Sequence, residues 1–194
     1  DLGIRDCTVI GGEAYLRDDW LDIVRMLVER GVRTTMTTGG RGITAAMARE
    51  MKAVGLDSVS VSIDGLESTH DYLRAVAGSH AQALATLDHL RAVGIPVSVN
   101  TQICRPTVRE LEPLLEILGE RRIFAWQIQL TVAMGRAADE PDLLLQPYQM
   151  VEVMPMVSRI WARGRELGIR LWPGSNIGYF GPYEHKLRFD SPDR

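Results

Sequence analysis

Cysteine is nearly missing from this chain: Cys7 and Cys104 are the only two in 194 residues. Two thiols so far apart form neither a local metal motif nor a disulfide scaffold, so both are expected to be reduced and packed as small apolar fillers. Lysine is as scarce, with Lys52 and Lys186 alone. The four histidines, His70, His80, His89 and His185, share no metal-ligand spacing. No apolar run reaches the roughly 18 residues that a membrane span requires. The opening Asp1-Leu2-Gly3-Ile4-Arg5-Asp6 lacks the basic-then-apolar layout of a signal peptide, so a cytoplasmic setting without a membrane partner is the expectation. Excess positive charge is also lacking. The formal charge is −3 and the Lys and Arg residues are scattered, which gives no electrostatic footprint for nucleic acid.

What remains is the composition of an ordinary globular domain, 45% hydrophobic and 24% charged. One unit recurs: an amphipathic helix, a glycine, one apolar residue, then a short β-branched strand. It appears at Gly31-Val32 before Thr34 to Thr38, at Gly55-Leu56 before Ser58 to Ile63, at Gly94-Ile95 before Val97 to Thr101, and at Gly168-Ile169 before Arg170 to Trp172. Each glycine is placed to close a helix in the left-handed conformation. Helices are expected from Asp18 or Asp19 to Glu29, from a Thr44 cap to Val54, as a short turn from Ser68 to Leu73, and from Ser79 to Val93. Further helices run from a Thr107 cap, with Glu110 at capping-box spacing, to Leu118, and from Pro147 to Leu167. A strand is also expected over Ala125 to Val132. Five or six strands alternating with five helices imply a parallel sheet, and the apolar character of several strands implies that both faces are covered. An open doubly wound sheet and a full or partial barrel both satisfy this pattern.

In either architecture ligands sit at the C-terminal edge of the strands. Polar residues concentrate there: Glu13, Thr37 and Thr38, Ser62 and Asp64, Asn100 and Gln102, Gln127 and Gln129. The run Val9-Ile10-Gly11-Gly12-Glu13-Ala14 ends a buried strand on bare backbone and one carboxylate. Glycine N–H groups suit a carboxylate or carbonyl and Glu13 suits an ammonium, a pairing that points to an amino-acid-like ligand. A plain strand-to-helix turn with a solvated Glu reads equally from the same residues, as does a turn and helix cap for Asp64-Gly65 and a solvated helix position for Arg74.

These residues together resemble the S-adenosylmethionine site of the radical SAM superfamily. Gly11-Gly12-Glu13-Ala14 is similar to that family's glycine-rich turn after its second strand, with Ala14 where Pro is usual. The resemblance implies that Gly11, Gly12 and Glu13 hold the methionyl ammonium. Ser62-Ile63-Asp64-Gly65 resembles the end of the fourth strand in the SPASM-type branch, which modifies peptides and proteins. There a serine meets the ribose or methionyl end, and an arginine takes the ligand carboxylate at the spacing at which Arg74 follows Ser62. Thr37-Thr38-Gly39 partly matches the turn after the third strand. Asn100 ends the fifth and Gln129 stands in the sixth, while Gly135-Arg136-Ala137 resembles the loop that follows. The resemblance covers about Thr8 to Arg188 and implies an α/β partial (β/α)6 TIM-like barrel, strands two to six with an incomplete N-terminus. Its implied extent is residues 1–172, with 173–194 a linker towards a C-terminal SPASM domain.

The family's CxxxCxxC loop, whose thiolates bind a [4Fe–4S] cluster, is not in this sequence. Neither Cys7 nor Cys104 can substitute by spacing, and the family's first strand is also missing, so the chain reads as a piece of a longer enzyme. The resemblance implies that such a parent, with its cluster, cleaves S-adenosylmethionine to a 5′-deoxyadenosyl radical that attacks a peptide or protein substrate. This chain alone is expected to be inactive. Two other readings stand beside it: a folded, non-catalytic binding or scaffold domain, and a phosphate-handling (β/α) barrel enzyme, which would want a Schiff-base lysine at a strand end. Tyr179, Phe180 and Tyr183 in the segment after Pro173 are expected to expose aromatic surface and to favour association.

Overall fold

The computed structural model describes residues 3–189. Within the expected linker, residues 190–194 lie outside the described residues. Six strands form one sheet: β1 (Asp6–Val9), β2 (Arg33–Thr38), β3 (Ser58–Ser62), β4 (Val97–Ile103), β5 (Ala125–Leu130) and β6 (Arg170–Pro173). All neighbours are parallel and their spatial order is their order in sequence. Right-handed crossovers that never reverse direction leave every helix on the same face of the sheet. This decides between the two architectures: the sheet is singly wound, as in a partial TIM-like barrel. Numbering the strands two to six leaves β6 over; it is a further parallel strand, paired with β5 from Ala125↔Arg170 to Ile128↔Pro173.

The expectation that both sheet faces are covered is corrected. In β3 and β4 the buried positions alternate, with Val59, Val61, Val97, Val99 and Ile103 at most 2% exposed. Between them Ser58, Ser60, Ser62, Ser98, Asn100 and Gln102 remain partly exposed. One face is therefore an apolar floor for helices and the other is a polar open face. The period of two in Ser58-Val59-Ser60-Val61-Ser62 carries this directly.

The helices are α1 (Trp20–Glu29), α2 (Ala45–Ala53), α3 (Glu67–Arg74), α4 (Ser79–Ala92), α5 (Leu111–Glu120), the single turn α6 (Arg136–Asp139) and α7 (Met150–Glu166). The recurring glycines close four of them. Gly55 and Gly94 have φ of 86° and 73°, and beyond them Leu56 and Ile95 return their N–H groups to Met51 and Leu90, burying their side chains as they turn into the next strand. Thr44 caps α2 by accepting the Met47 N–H. Thr107 does not cap α5 in this way: its hydroxyl accepts from the Cys104 N–H and donates to the Gln102 carbonyl. Glu110 makes no capping box with it and instead reaches α3.

Helices and sheet enclose one hydrophobic cluster, including Val24, Met51, Leu87, Leu114, Leu118 and Ile160. Trp126 is fully buried in it and donates its indole N–H to Thr101 Oγ1 at 2.8 Å. Past β6, Ile177, Phe180 and Leu187 are buried in the same cluster. The expected aromatic exposure there is corrected: Tyr179 is 75% exposed, but Phe180 is buried beneath the Arg188 guanidinium and Tyr183 is partly buried. Lys186 ties this segment to α7 through the Ser158 carbonyl and hydroxyl and sits 5.1 Å from the centre of the Trp161 ring. No helix among the described residues is long and apolar enough to cross a membrane.

Candidate functional site

Parallel strands that end together bring their C-terminal residues to one edge. Thr38 pairs with Val61, Ser62 with Asn100, and Gln102 with Gln129, so the expected rim residues do share an edge. They divide there into three groups.

The first group surrounds Glu13. After β1 the chain turns through Gly11, whose φ of 127° lies in the region favouring glycine, and Gly12 follows with open space around it. Glu13 then lays its carboxylate on the end of β2. One oxygen accepts from Thr38 Oγ1 and the other from the Gly39 N–H at 2.9 Å. A Cβ at Gly39 would come within 2.8 Å of that oxygen, so the close approach requires glycine. Thr38 is itself held by the Gly40 N–H. Each Glu13 oxygen keeps a second lone pair, so the fixed carboxylate can still accept from a ligand ammonium. Tyr15, which the rim pattern did not single out, donates its hydroxyl to the Arg41 carbonyl. Burial, and next the Glu13 charge, push its phenol up to about 12, so it stays protonated.

The second group lies between β3, β4 and α3. Ser62, Asp64, Arg74 and Gln102 line a cavity of about 560 Å³ together with Thr131 and Met134. Asp64 is buried and both of its oxygens are engaged: one accepts the Gln102 N–H at 2.8 Å, and the other meets Arg74 Nη2 at 2.6 Å. Arg74 therefore commits one corner of its fork to the protein, and the rest of its five N–H donors remain to meet a carboxylate. The buried His70, also absent from the rim pattern, accepts the Asp64 N–H on Nδ1 at 2.9 Å. Its signal was the four-residue spacing to Arg74, which puts both side chains on one face of α3.

The third group is on the open face. Asn100 lines a second cavity of about 350 Å³ with Thr37, Ser60 and Gln127. Gln129 packs against Gly174, where an added Cβ would lie 2.8 Å from its Cγ. The structure thus joins Ser62, Asp64 and Arg74 in one cavity and Glu13, Thr38 and the glycine turn in another cluster; Asn100 lines the second cavity although it is the register partner of Ser62, and Gln129 is the register partner of Gln102.

The donor set suits a zwitterionic ligand with hydroxyl groups: a fixed carboxylate, a guanidinium, hydroxyls and amides. It does not suit an iron–sulfur cluster. Cys104 is buried at the end of β4 with its backbone and sulfur bonded to Thr107, Cys7 is on β1, and among the described residues no three His, Cys, Asp or Glu side chains gather to hold a metal. A Schiff-base site is likewise unsupported, because Lys52 reaches the Gly94 carbonyl and Lys186 lies over Trp161, both away from the rim.

The family model for the Radical SAM superfamily matches residues 1–118. The chain is 30% identical over 155 residues to the AdoMet-dependent heme synthase of Nitratidesulfovibrio vulgaris, covering 79% of this chain and 42% of that protein. It is 29% identical over 189 residues to the Fe-coproporphyrin III synthase of Methanosarcina barkeri, covering 95% and 47% respectively. It is 32% identical over 126 residues to the PqqA peptide cyclase of Ruegeria pomeroyi, covering 63% and 34%. The chain therefore spans less than half the length of these relatives. The structure of Streptococcus suis SuiB bound to S-adenosylmethionine superposes with a TM-score of 0.71 at 14% identity, over 87% of this chain and 38% of that one. Native anSMEcpe with bound AdoMet gives 0.70 at 14% identity, over 89% and 50%. At such identity the likeness is one of fold.

Proposed function

This chain belongs to the radical SAM superfamily, and on that premise we propose that it binds S-adenosylmethionine along the C-terminal edge of its sheet. The observation that carries the reading is Glu13, a carboxylate fixed by Thr38 and Gly39 beside a bare glycine turn, with lone pairs to spare. In this reading the Glu13 carboxylate and the backbone carbonyls of Gly11 and Gly12 receive the methionyl ammonium, with Thr38 as the residue that steadies Glu13. Arg74 receives the carboxylate, and Ser62, Asn100 and Gln129 offer hydroxyl and amide groups to the ribose side. When bound, the cofactor supplies a sulfonium whose cleavage starts radical chemistry; the residues of this chain bind and orient it and shield it from water. The described residues hold no cluster ligands, so what they contribute is cofactor binding rather than electron delivery.

For the whole protein we propose catalysis on a peptide. Support comes from the PqqA peptide cyclase relative, from the likeness in fold to SuiB solved with its precursor peptide SuiA, and from the open face, whose Ser, Thr, Asn and Gln side chains suit amide groups. A tetrapyrrole substrate is the second reading, favoured by the heme and Fe-coproporphyrin III synthases among the relatives.

Calorimetry with S-adenosylmethionine tests the binding claim. Wild type is expected to bind, and Glu13→Ala or Arg74→Ala to bind about ten- to a hundredfold more weakly, each having lost a charged hydrogen-bond partner. Undetectable binding by all three would remove the claim. A stoichiometric visible-band shift with iron coproporphyrin III, and none with peptides by fluorescence, would move the substrate from peptide to tetrapyrrole.

A further inference from the structure

The rim arrangement raises the question of what Asp64 does, since both of its oxygens are already bonded within the protein. We propose that Asp64 and His70 are positioning residues that aim Arg74 into the cavity, rather than contacts to the ligand. The proposal rests on reading that cavity as the S-adenosylmethionine site.

The backbone explains why the device exists. The ladder between β3 and β4 runs one bond past the strand end, with the Ile63 N–H donating to the Asn100 carbonyl at 2.9 Å. At Asp64 the N–H goes instead to His70 Nδ1, and the Asp64 carboxylate takes the Gln102 N–H in the place of a strand carbonyl. Side chains thus extend the sheet by one residue after the strand pattern stops. The second Asp64 oxygen is left facing Arg74 at 2.6 Å. His70 and Arg74 lie four apart on α3 and converge on the same aspartate, one through its backbone and one through its carboxylate.

The helix that carries them is secured at both ends. The Leu66 N–H and the Thr69 hydroxyl both donate to Glu110, at 2.7 and 2.6 Å. Asp71 accepts from the Gly78 and His80 N–H groups and from the Ser79 hydroxyl, joining α3 to the start of α4. His70 is 1% exposed and accepts on Nδ1, so it is neutral with its proton on Nε2. A guanidinium held this way loses little rotamer freedom when a ligand carboxylate arrives. The Asp64 charge repels that carboxylate from its own side and leaves the outer edge of the fork as the approach.

The test is a double-mutant cycle read by calorimetry on the whole chain. His70→Phe keeps a ring but loses the acceptor, and is expected to weaken S-adenosylmethionine binding about tenfold. His70→Asn places an amide oxygen near the position of Nδ1 and is expected to recover affinity to within about threefold of wild type. Combined with Arg74→Ala, His70→Phe is expected to add no further loss, because the two act through one contact. Methylthioadenosine, which lacks the amino-acid end of the cofactor, is expected to bind wild type and His70→Phe equally. Additive losses, an equal loss for methylthioadenosine, or an unchanged His70→Phe would each overturn the positioning role. If His70→Phe does not fold, the cycle of Asp64→Asn with Arg74→Ala gives the same decision, coupled losses supporting the role and additive ones ending it. Wild type that fails to bind S-adenosylmethionine removes the cofactor site itself and the proposal with it.

Discussion

His70 has no place in a motif of cofactor contacts, yet it is the most perturbed histidine of the described residues. Burial first of all lowers its pKa from 6.5 to about 4; Asp64 and Asp71 oppose this, while Arg74 and His80 add to it. Burial lowers His80 in the same direction. An unfolded histidine takes its proton near 6.5 and the folded one only near 4, so between those values the unfolded state binds more protons. Stability therefore rises with pH from about 4 to 6.5 and is level above. For His70 the full effect is about 3 kcal/mol. Thermal melts followed by circular dichroism should show wild type losing stability from pH 7 to 4.5 more steeply than His70→Phe, the two slopes becoming alike above pH 7. Equal slopes in acid would mean that His70 is not the group responsible. Glu13 could be picked out from its place after a glycine turn, and Ser62 and Arg74 from the family resemblance; the structure sets Glu13 on the end of β2 and brings Ser62 and Arg74 to one cavity. The use of Asp64 by Gln102 and Arg74 could not be picked out, because its partners come from the next strand and the next helix.

Helix ends were legible where a cap lies within its own segment. Thr44 and the Gly55 and Gly94 turns stand where the pattern puts them, since their hydrogen bonds close within a few residues. The Thr107 and Glu110 spacing misled for the opposite reason. Glu110 is 44 residues from Leu66, and it satisfies the start of α3 rather than that of α5. The loops after β3 and β4 are neighbours at the sheet edge, so a carboxylate on one can serve orphan N–H groups on the other. Glu110→Ala should therefore cost about 1–2 kcal/mol, comparable to removing a side-chain cap. A thermal melt measures it. The Leu66 amide should lose hydrogen-exchange protection at the same time, and unchanged protection there would contradict the assignment.

Over the whole molecule, the two faces of the sheet differ in what they contribute to stability. Val59→Ala, on the helix-covered face, should cost about 2–3 kcal/mol through lost burial and the cavity left behind. Ser60→Ala, on the open face, should stay within about 0.5 kcal/mol of wild type in denaturant titrations. Comparable costs for the two would contradict the assignment of faces. By itself, the sequence determined the alternation of strand and helix, the glycine-closed turns and the polar residues at the strand ends, because each depends on backbone preferences and periodicities within about twenty residues. Only the tertiary structure decided that Trp172 of β6 joins the Ser, Thr, Asn and Gln side chains on the open face, that the segment after β6 packs into the core, and that Asp64, His70, Glu110 and Arg74 form one supported group. Those depend on which strand lies beside which. Six parallel strands in sequence order place the segments that follow β3 and β4 side by side at one edge, and the charged and hydrogen-bonding groups brought together there satisfy one another.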